Sequence, residues 1–332
     1  MEGQIYKIHS DFYYIQSGGN SYECKIREVL KKQRLKPVTG DFAEFDNGVI
    51  TKILPRKTYI PRPSVANVDQ IVVVSALKHP DLDFHQLNRY IALSHYYKIP
   101  VILCFNKEDL ETSGKSREDI ISIYKNLGYE IVFTSALEHK GLNSFRKLLS
   151  GKVSALCGGS GVGKSSLINA LNPEINLRTK EVSEKSNKGT HTTRHCEIIS
   201  LDETSAIVDT PGFSNVRFDF ILPQDVDLLF PEMLEYRKDC KYGDCLHINE
   251  DGCTVLNNID KISESRYESY IEFVAEALEY KEKIKYNGVK QESSMKYKNN
   301  KIQAKISGKK RQASRNTRKQ MIYKEIENDA NE

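Results

Sequence analysis

The chain has 332 residues, 39% of them hydrophobic and 28% charged, an ordinary balance for soluble protein and enough for two or three domains with cores of their own. No apolar run approaches the roughly 18 residues needed to cross a bilayer, and the charged start MEGQIYKIHSDFYYIQ argues against a signal peptide, so a cytoplasmic protein is expected. The net charge of +4 is unevenly spread: residues 281–323 hold 14 Lys or Arg against two Glu, whereas residues 1–280 sum to −5.

Residues 1–60 read as five short strands, Gly3–Ile8, Phe12–Gln16, Tyr22–Arg27, Asp41–Phe45 and Val49–Ile53. Turn signals separate them at Ser17-Gly18-Gly19-Asn20, Thr39-Gly40 and Asp46-Asn47-Gly48. That density of strands suggests a small OB-fold-like β-barrel, a class that often binds oligonucleotides but also serves as scaffold. The Pro-rich run 55–63 reads as a linker. Over about 64–220, buried strands alternate with amphipathic helices: strand Gln70–Ser75, helix Phe84–Tyr97, strand Val101–Phe105, helix Arg117–Leu127, strand Glu130–Thr134, helix Leu142–Leu149 and strand Lys152–Cys157. The alternation predicts a parallel sheet covered on both faces, with ligands at the carboxyl ends of its strands.

The motifs then fall at strand ends. Asn106-Lys107-Glu108-Asp109 fits NKxD: a carboxylate at Asp109 can accept from guanine N1–H and the exocyclic amine, groups that adenine does not offer, and the Lys107 stem can lie along the base. Thr134-Ser135-Ala136 supplies a second base-contacting loop through Ser135 and Ala136. Gly158-Gly159-Ser160-Gly161-Val162-Gly163-Lys164-Ser165 is a P-loop whose backbone N–H groups cradle phosphates, with Ser166 at the start of a helix to Leu171. Lys164 meets the β/γ-phosphates, and the Ser165 hydroxyl coordinates Mg²⁺. Lys188–Arg194 is a polar loop of switch character, where Thr193, with Thr192 as second candidate, is the Mg²⁺ ligand and γ-phosphate sensor. Strand Ser205–Val208 leads to Asp209-Thr210-Pro211-Gly212: Asp209 is placed to hold the Mg²⁺ shell and Gly212 N–H to meet the γ-phosphate. The residue after Gly212 is Phe213, where many GTPases carry a water-orienting glutamine, so slow intrinsic turnover is expected. His191 has two open roles, orienting the attacking water or contacting RNA or solvent.

The motif order is circularly permuted, since an ordinary small GTPase meets its P-loop first and NKxD late. After the last motif comes Cys240-x4-Cys245-x-His247-x5-Cys253, three thiols and one imidazole within 14 residues, a set that suits one tetrahedral, structural Zn²⁺. A helix is expected over Ser263–Lys285. Cys24, Cys104, Cys157 and Cys196 lie in apolar stretches and read as small buried hydrophobes. The remaining segment, 286–332, reads as a basic, disordered tail, and its charge suggests a clamp on a polyanion.

With NKxD, T-S-A, GGSGVGKSSL, G-x-HTT, DTPGF and C-x4-C-x-H-x5-C in this order behind a barrel, the sequence resembles the ribosome small-subunit-dependent GTPase A (RsgA) family over about residues 1–285. The resemblance implies a multidomain protein: an OB-fold over 1–60 that touches rRNA, a circularly permuted P-loop GTPase domain over 64–220, and an α-helical zinc-binding module over 221–285. It implies a GTPase, alternating between GTP and GDP, that acts in late maturation of the small ribosomal subunit, and it places a histidine at the position of His191. A monomer is expected. Two other readings remain open: an rRNA-binding assembly module in which hydrolysis is incidental, and a P-loop ATPase or small-molecule kinase, which NKED disfavours.

Overall fold

The computed structural model describes residues 1–28, 30, 36–111, 114–175, 177, 196–209, 217–287, 295–298 and 301–304. Met1–Leu278 form one compact unit. Its first part is a closed barrel of β1 (Glu2–His9), β2 (Phe12–Ser17), β3 (Asn20–Ile26), β4 (Phe42–Asp46) and β5 (Val49–Ile53). β1–β2, β2–β3, β4–β5 and β1–β4 pair antiparallel and β3–β5 parallel, so the five strands close without a free edge. Period-2 alternation sends Ile5, Ile15, Cys24, Ala43, Phe45 and Ile50 inward as a core of their own.

The Pro-rich run expected to be a plain linker contains a small hairpin, β6 (Tyr59–Pro61) with β7 (Ser64–Ala66). Prolines mark an extended chain as readily as a turn, which is why their composition alone misread this segment. The hairpin packs against the barrel: Ala66 N donates to Thr39 O at 2.9 Å, and Asn67 Nδ2 to Gly40 O at 2.8 Å. A Cβ on Gly40 would stand 2.0 Å from Ala66 O, so this close approach requires glycine.

The central sheet runs β10 (Glu130–Phe133), β9 (Val101–Asn106), β8 (Gln70–Ala76), β11 (Val153–Cys157), β13 (Ala206–Asp209) and β12 (Glu197–Ser200), with only β12 antiparallel to its neighbour. β8 shows why it reads as a continuous apolar run. Ile71 and Val73 face one core beneath α1 (Phe84–Tyr96), while Val72, Val74 and Ala76 face another beneath α3 (Leu142–Leu149) and α4 (Lys164–Leu171). Asp83 caps α1 by accepting from Gln86 N at 2.9 Å. The predicted helix over 117–127 is α2 (Lys115–Ile120) continued by a π-helical turn, Ile121–Lys125. β12, a strand the sequence reading did not anticipate, joins barrel to sheet. Lys7 is opposite Glu197 and ion-paired with it at 3.0 Å, and Thr39 Oγ1 donates to Cys196 O at 3.0 Å.

The third part has little regular structure before its long helix: short turns at Pro223–Leu229 and Pro231–Met233, α5 (Leu234–Arg237), α6 (Thr254–Asn257) and α7 (Glu264–Asn287). Phe218, Val226, Phe230, Val255, Tyr270 and Phe273 form its core, to which α1 adds Ala92 and Leu93. Arg266, fully buried on α7, makes a bidentate pair with Glu232 at 2.6 and 3.0 Å and donates to Asn88 of α1. Within the segment expected to be a disordered tail, Met295–Lys298 (β14) pairs antiparallel with Lys301–Ala304 (β15).

Candidate functional site

The P-loop follows β11 and leads into α4, so its glycines lie at the carboxyl end of a central strand. Gly158 has φ +148°, and a Cβ there would meet Val74 O at 2.1 Å; Gly163, at φ +95°, would put one 2.3 Å from Asn106 Nδ2. The loop is therefore pressed against β8 on one side and the NKED segment on the other. Val162 is buried, and Gly159, Gly161, Ser165 and Ser166 are half-buried beside the exposed Ser160. Lys164 Nζ donates to the carbonyls of Gly158 and Gly159 at 2.8 and 2.9 Å, which fixes the ammonium across the loop. Burial holds Lys164 below the usual lysine range, opposed by Cys157 and Asp209. The Asp209 carboxyl, at the end of β13, is pushed up by burial and drawn down by Lys164. These two charges face each other in a partly desolvated cleft, where an anion with its metal counterion is favourable.

Asn106 ends β9, fully enclosed, and joins three loops. Its Nδ2 donates to Val162 O of the P-loop at 2.9 Å, and its Oδ1 accepts from Thr134 Oγ1 and Ala136 N, each at 3.2 Å. Side chain and backbone from NKED, T-S-A and the P-loop thus meet although they stand 56 residues apart along the chain at most. Lys107 adopts φ 61° and donates to His79 O, and Asp109 lies half-buried in the turn Glu108–Leu110. Ser135 Oγ accepts from Glu138 N at 3.0 Å, which shapes the second loop. His191, Thr192, Thr193, Gly212 and Phe213 lie outside the described residues. The chain leaving the DTPG segment is held by Glu276 of α7, whose carboxylate accepts from Phe218 N at 2.8 Å and from Arg89 of α1 at 2.8 and 2.9 Å.

The predicted metal ligands also converge. One donor atom each from Cys240, Cys245, His247 and Cys253 lies within 4.8 Å of all the others. His247 Nδ1 is 3.3 Å from Cys253 Sγ and 3.7 Å from Cys240 Sγ, and those sulfurs are 4.0 Å apart. Tetrahedral zinc with ordinary bond lengths sets S···S at about 3.8 Å and N···S at about 3.6 Å, so the cluster fits that ion. Its frame was invisible in the motif. Glu250 accepts from the backbone of Leu246, Ile248 and Asn249, and Tyr270 and Tyr267 of α7 donate to the carbonyls of Leu246 and His247 at 2.7 and 2.8 Å. No sequence spacing flags the two tyrosines, because they act from a helix that begins 11 residues after the last cysteine.

Comparison with known proteins agrees with this geometry. The RsgA N-terminal domain family matches residues 2–50, and the RsgA GTPase family matches residues 53–219. The chain belongs to the RsgA GTPase family. The small ribosomal subunit biogenesis GTPase RsgA of Alkaliphilus metalliredigens is 39% identical over 287 residues, covering 83% of this chain and 97% of that protein. The RsgA of Moorella thermoacetica is also 39% identical, covering 84% and 98%. Among solved structures, YjeQ from Thermotoga maritima superposes with a TM-score of 0.73 at 32% identity, covering 83% of this chain and 98% of its own. YloQ, described as a circularly permuted GTPase, gives 0.69 at 29% identity, covering 84% and 95%. A general GTPase family, 50S ribosome-binding GTPase, matches residues 153–286 of this RsgA-family chain, the stretch that opens on the P-loop as unpermuted GTPases do.

Proposed function

We propose that the cleft bounded by the P-loop, Asn106–Asp109 and Thr134–Ala136 binds GTP, and that the chain hydrolyses it while acting in biogenesis of the small ribosomal subunit. The observation that carries this is Asn106: one buried side chain ties the base-reading loops to the phosphate-binding loop, so permutation leaves a single nucleotide cradle. Asp109 and Lys107 read guanine, Ser135 and Ala136 close over it, and Gly158–Ser166 enclose the phosphates. Lys164 stabilises charge on the phosphates; Ser165, Asp209 and Thr193 would hold Mg²⁺, which when bound would supply neutralisation of charge on them. Gly212 N–H senses the γ-phosphate. With Phe213 unable to orient water, His191 does so once a partner is bound, which makes hydrolysis dependent on that partner.

Labour divides along the chain. The barrel, 1–60, contacts rRNA, 64–220 is the permuted GTPase, 221–285 is the zinc-bound module, and the basic segment 286–332 clamps RNA. The protein works as a monomer in the cytoplasm, on the subunit it helps to mature. The test of the nucleotide assignment is GTP and ATP turnover by the full chain. Selective turnover of GTP is expected; equal turnover, or preference for ATP, refutes the guanine site.

A further inference from the structure

Asp227 belongs to none of the motifs, yet it is only 1% exposed and directed at the metal cluster. It sits on the turn Pro223–Leu229, between the DTPG segment and the first cysteine. Oδ2 lies 3.1 Å from His247 Nε2 and is ion-paired with Arg237 Nε at 2.5 Å, while Oδ1 has no hydrogen-bond partner among the described residues. The other ring nitrogen of His247, Nδ1, faces the sulfurs of Cys253 and Cys240. The imidazole is therefore divided between a carboxylate on one edge and the thiols on the other.

A carboxylate only accepts hydrogen bonds, so Nε2 carries the hydrogen and Nδ1 keeps the lone pair. We propose that Asp227 is the positioning residue of this zinc site: it selects the Nε2–H tautomer of His247, orients the ring, and so makes Nδ1 the ligand atom. Arg237, ion-paired with the same oxygen, steadies the carboxylate. The backbone that carries the ring is fixed as well, with the His247 carbonyl held by Tyr267 and φ at 54°, so the Asp227 contact is what sets the ring's orientation. The same contact ties the ligand cluster to the turn Pro223–Leu229, which lies between the DTPG segment and the first cysteine. Carboxylates in this outer position raise ligand basicity, and losing one weakens metal binding about 10- to 100-fold.

The test uses zinc-loaded full-length protein. Zinc transfer to the chromophoric chelator 4-(2-pyridylazo)resorcinol is timed for the wild type, Asp227→Ala, Asp227→Asn and Arg237→Gln. Release is expected to be about 10- to 100-fold faster in Asp227→Ala, with Asp227→Asn intermediate because its amide oxygen can still accept. Arg237→Gln should have a smaller effect. If Asp227 served only as the partner of Arg237, Asp227→Ala and Arg237→Gln would release zinc alike, and a wild-type rate in Asp227→Ala would equally overturn the proposal. Should Asp227→Ala fail to fold, the wild type decides: long-range ¹H–¹⁵N correlation of labelled histidine must show a metal-bound Nδ1 and a protonated Nε2. Metal on Nε2 would refute the assignment.

Discussion

The nucleotide cleft and the metal module solve the same problem, holding several donors in place, by opposite means. In the cleft each motif is a continuous stretch at the end of a parallel strand, and the sheet register does the positioning. In the module there is almost no sheet or helix at the ligands, and side chains hold the turns: Glu250 beneath the loop, Tyr267 and Tyr270 from α7, Asp227 from upstream. A scaffold made of backbone tolerates the permutation of its motifs, because strand neighbours do not depend on chain order. A scaffold made of side chains depends on those side chains, and the four Cys and His donors at its centre could hold a metal ion.

The contrast predicts unequal responses. Removing the metal ligand Cys253, as Cys253→Ser, should have the largest effect: structural zinc contributes on the order of 10 kcal/mol of binding free energy, and its loss should melt the module. Calorimetry should then show this module's unfolding at lower temperature, while GTP still protects the sheet domain. A single unchanged transition would mean that the module is held without metal. Lys164→Ala should leave folding intact and lower GTP turnover by about 100-fold or more, since it removes a charge aimed at the phosphates. Undiminished single-turnover rates would displace Lys164 from its role. Asp109→Asn removes a charged acceptor from guanine and should weaken GTP binding by about 10- to 100-fold, read by titration calorimetry, without changing the melting temperature of the nucleotide-free protein.

The smallest effect is expected at Glu276. Burial opposes its ionisation, but Arg89, the Phe218 N–H and Arg217 outweigh that and hold its carboxyl below 4.5, the ordinary glutamate value. A depressed carboxyl contributes stability above its unfolded pKa and loses it as pH falls through the folded one. Glu276→Gln should therefore cost about 1–2 kcal/mol near neutral pH, measured by urea unfolding, and the gap from wild type should shrink as pH falls below about 4.5. A gap that stayed constant into acid would mean that shape, not charge, matters there.

The same contrast explains what could be read from the sequence. The NKED, T-S-A, P-loop and DTPG segments announce themselves because each is local, and every predicted strand between Gln70 and Cys157 appears within a residue or so of its expected bounds. All four cysteines expected to be small buried hydrophobes, Cys24, Cys104, Cys157 and Cys196, are buried. The cluster of Cys240, Cys245, His247 and Cys253, which could hold a metal, was legible by spacing, whereas Asp227, 20 residues before His247, was not: an aspartate on a polar turn looks like any other until the fold brings it to the imidazole. β12 was missed because Glu197–Ser200 is short and lies beside the switch segment, and its strand character comes from pairing with β13 and β1. The β6–β7 hairpin was missed for a similar reason, since long-range contact with Thr39 and Gly40 makes it a hairpin.

We propose that the permuted guanine site drives a step in small-subunit biogenesis and depends on its partner for fast turnover. Steady-state phosphate release from GTP and from ATP, with and without purified small ribosomal subunits, tests it most directly. Slow turnover of GTP alone, strong acceleration by the subunits and no comparable response with ATP are expected. GTP turnover that is already fast alone, or indifferent to the subunits, would contradict it.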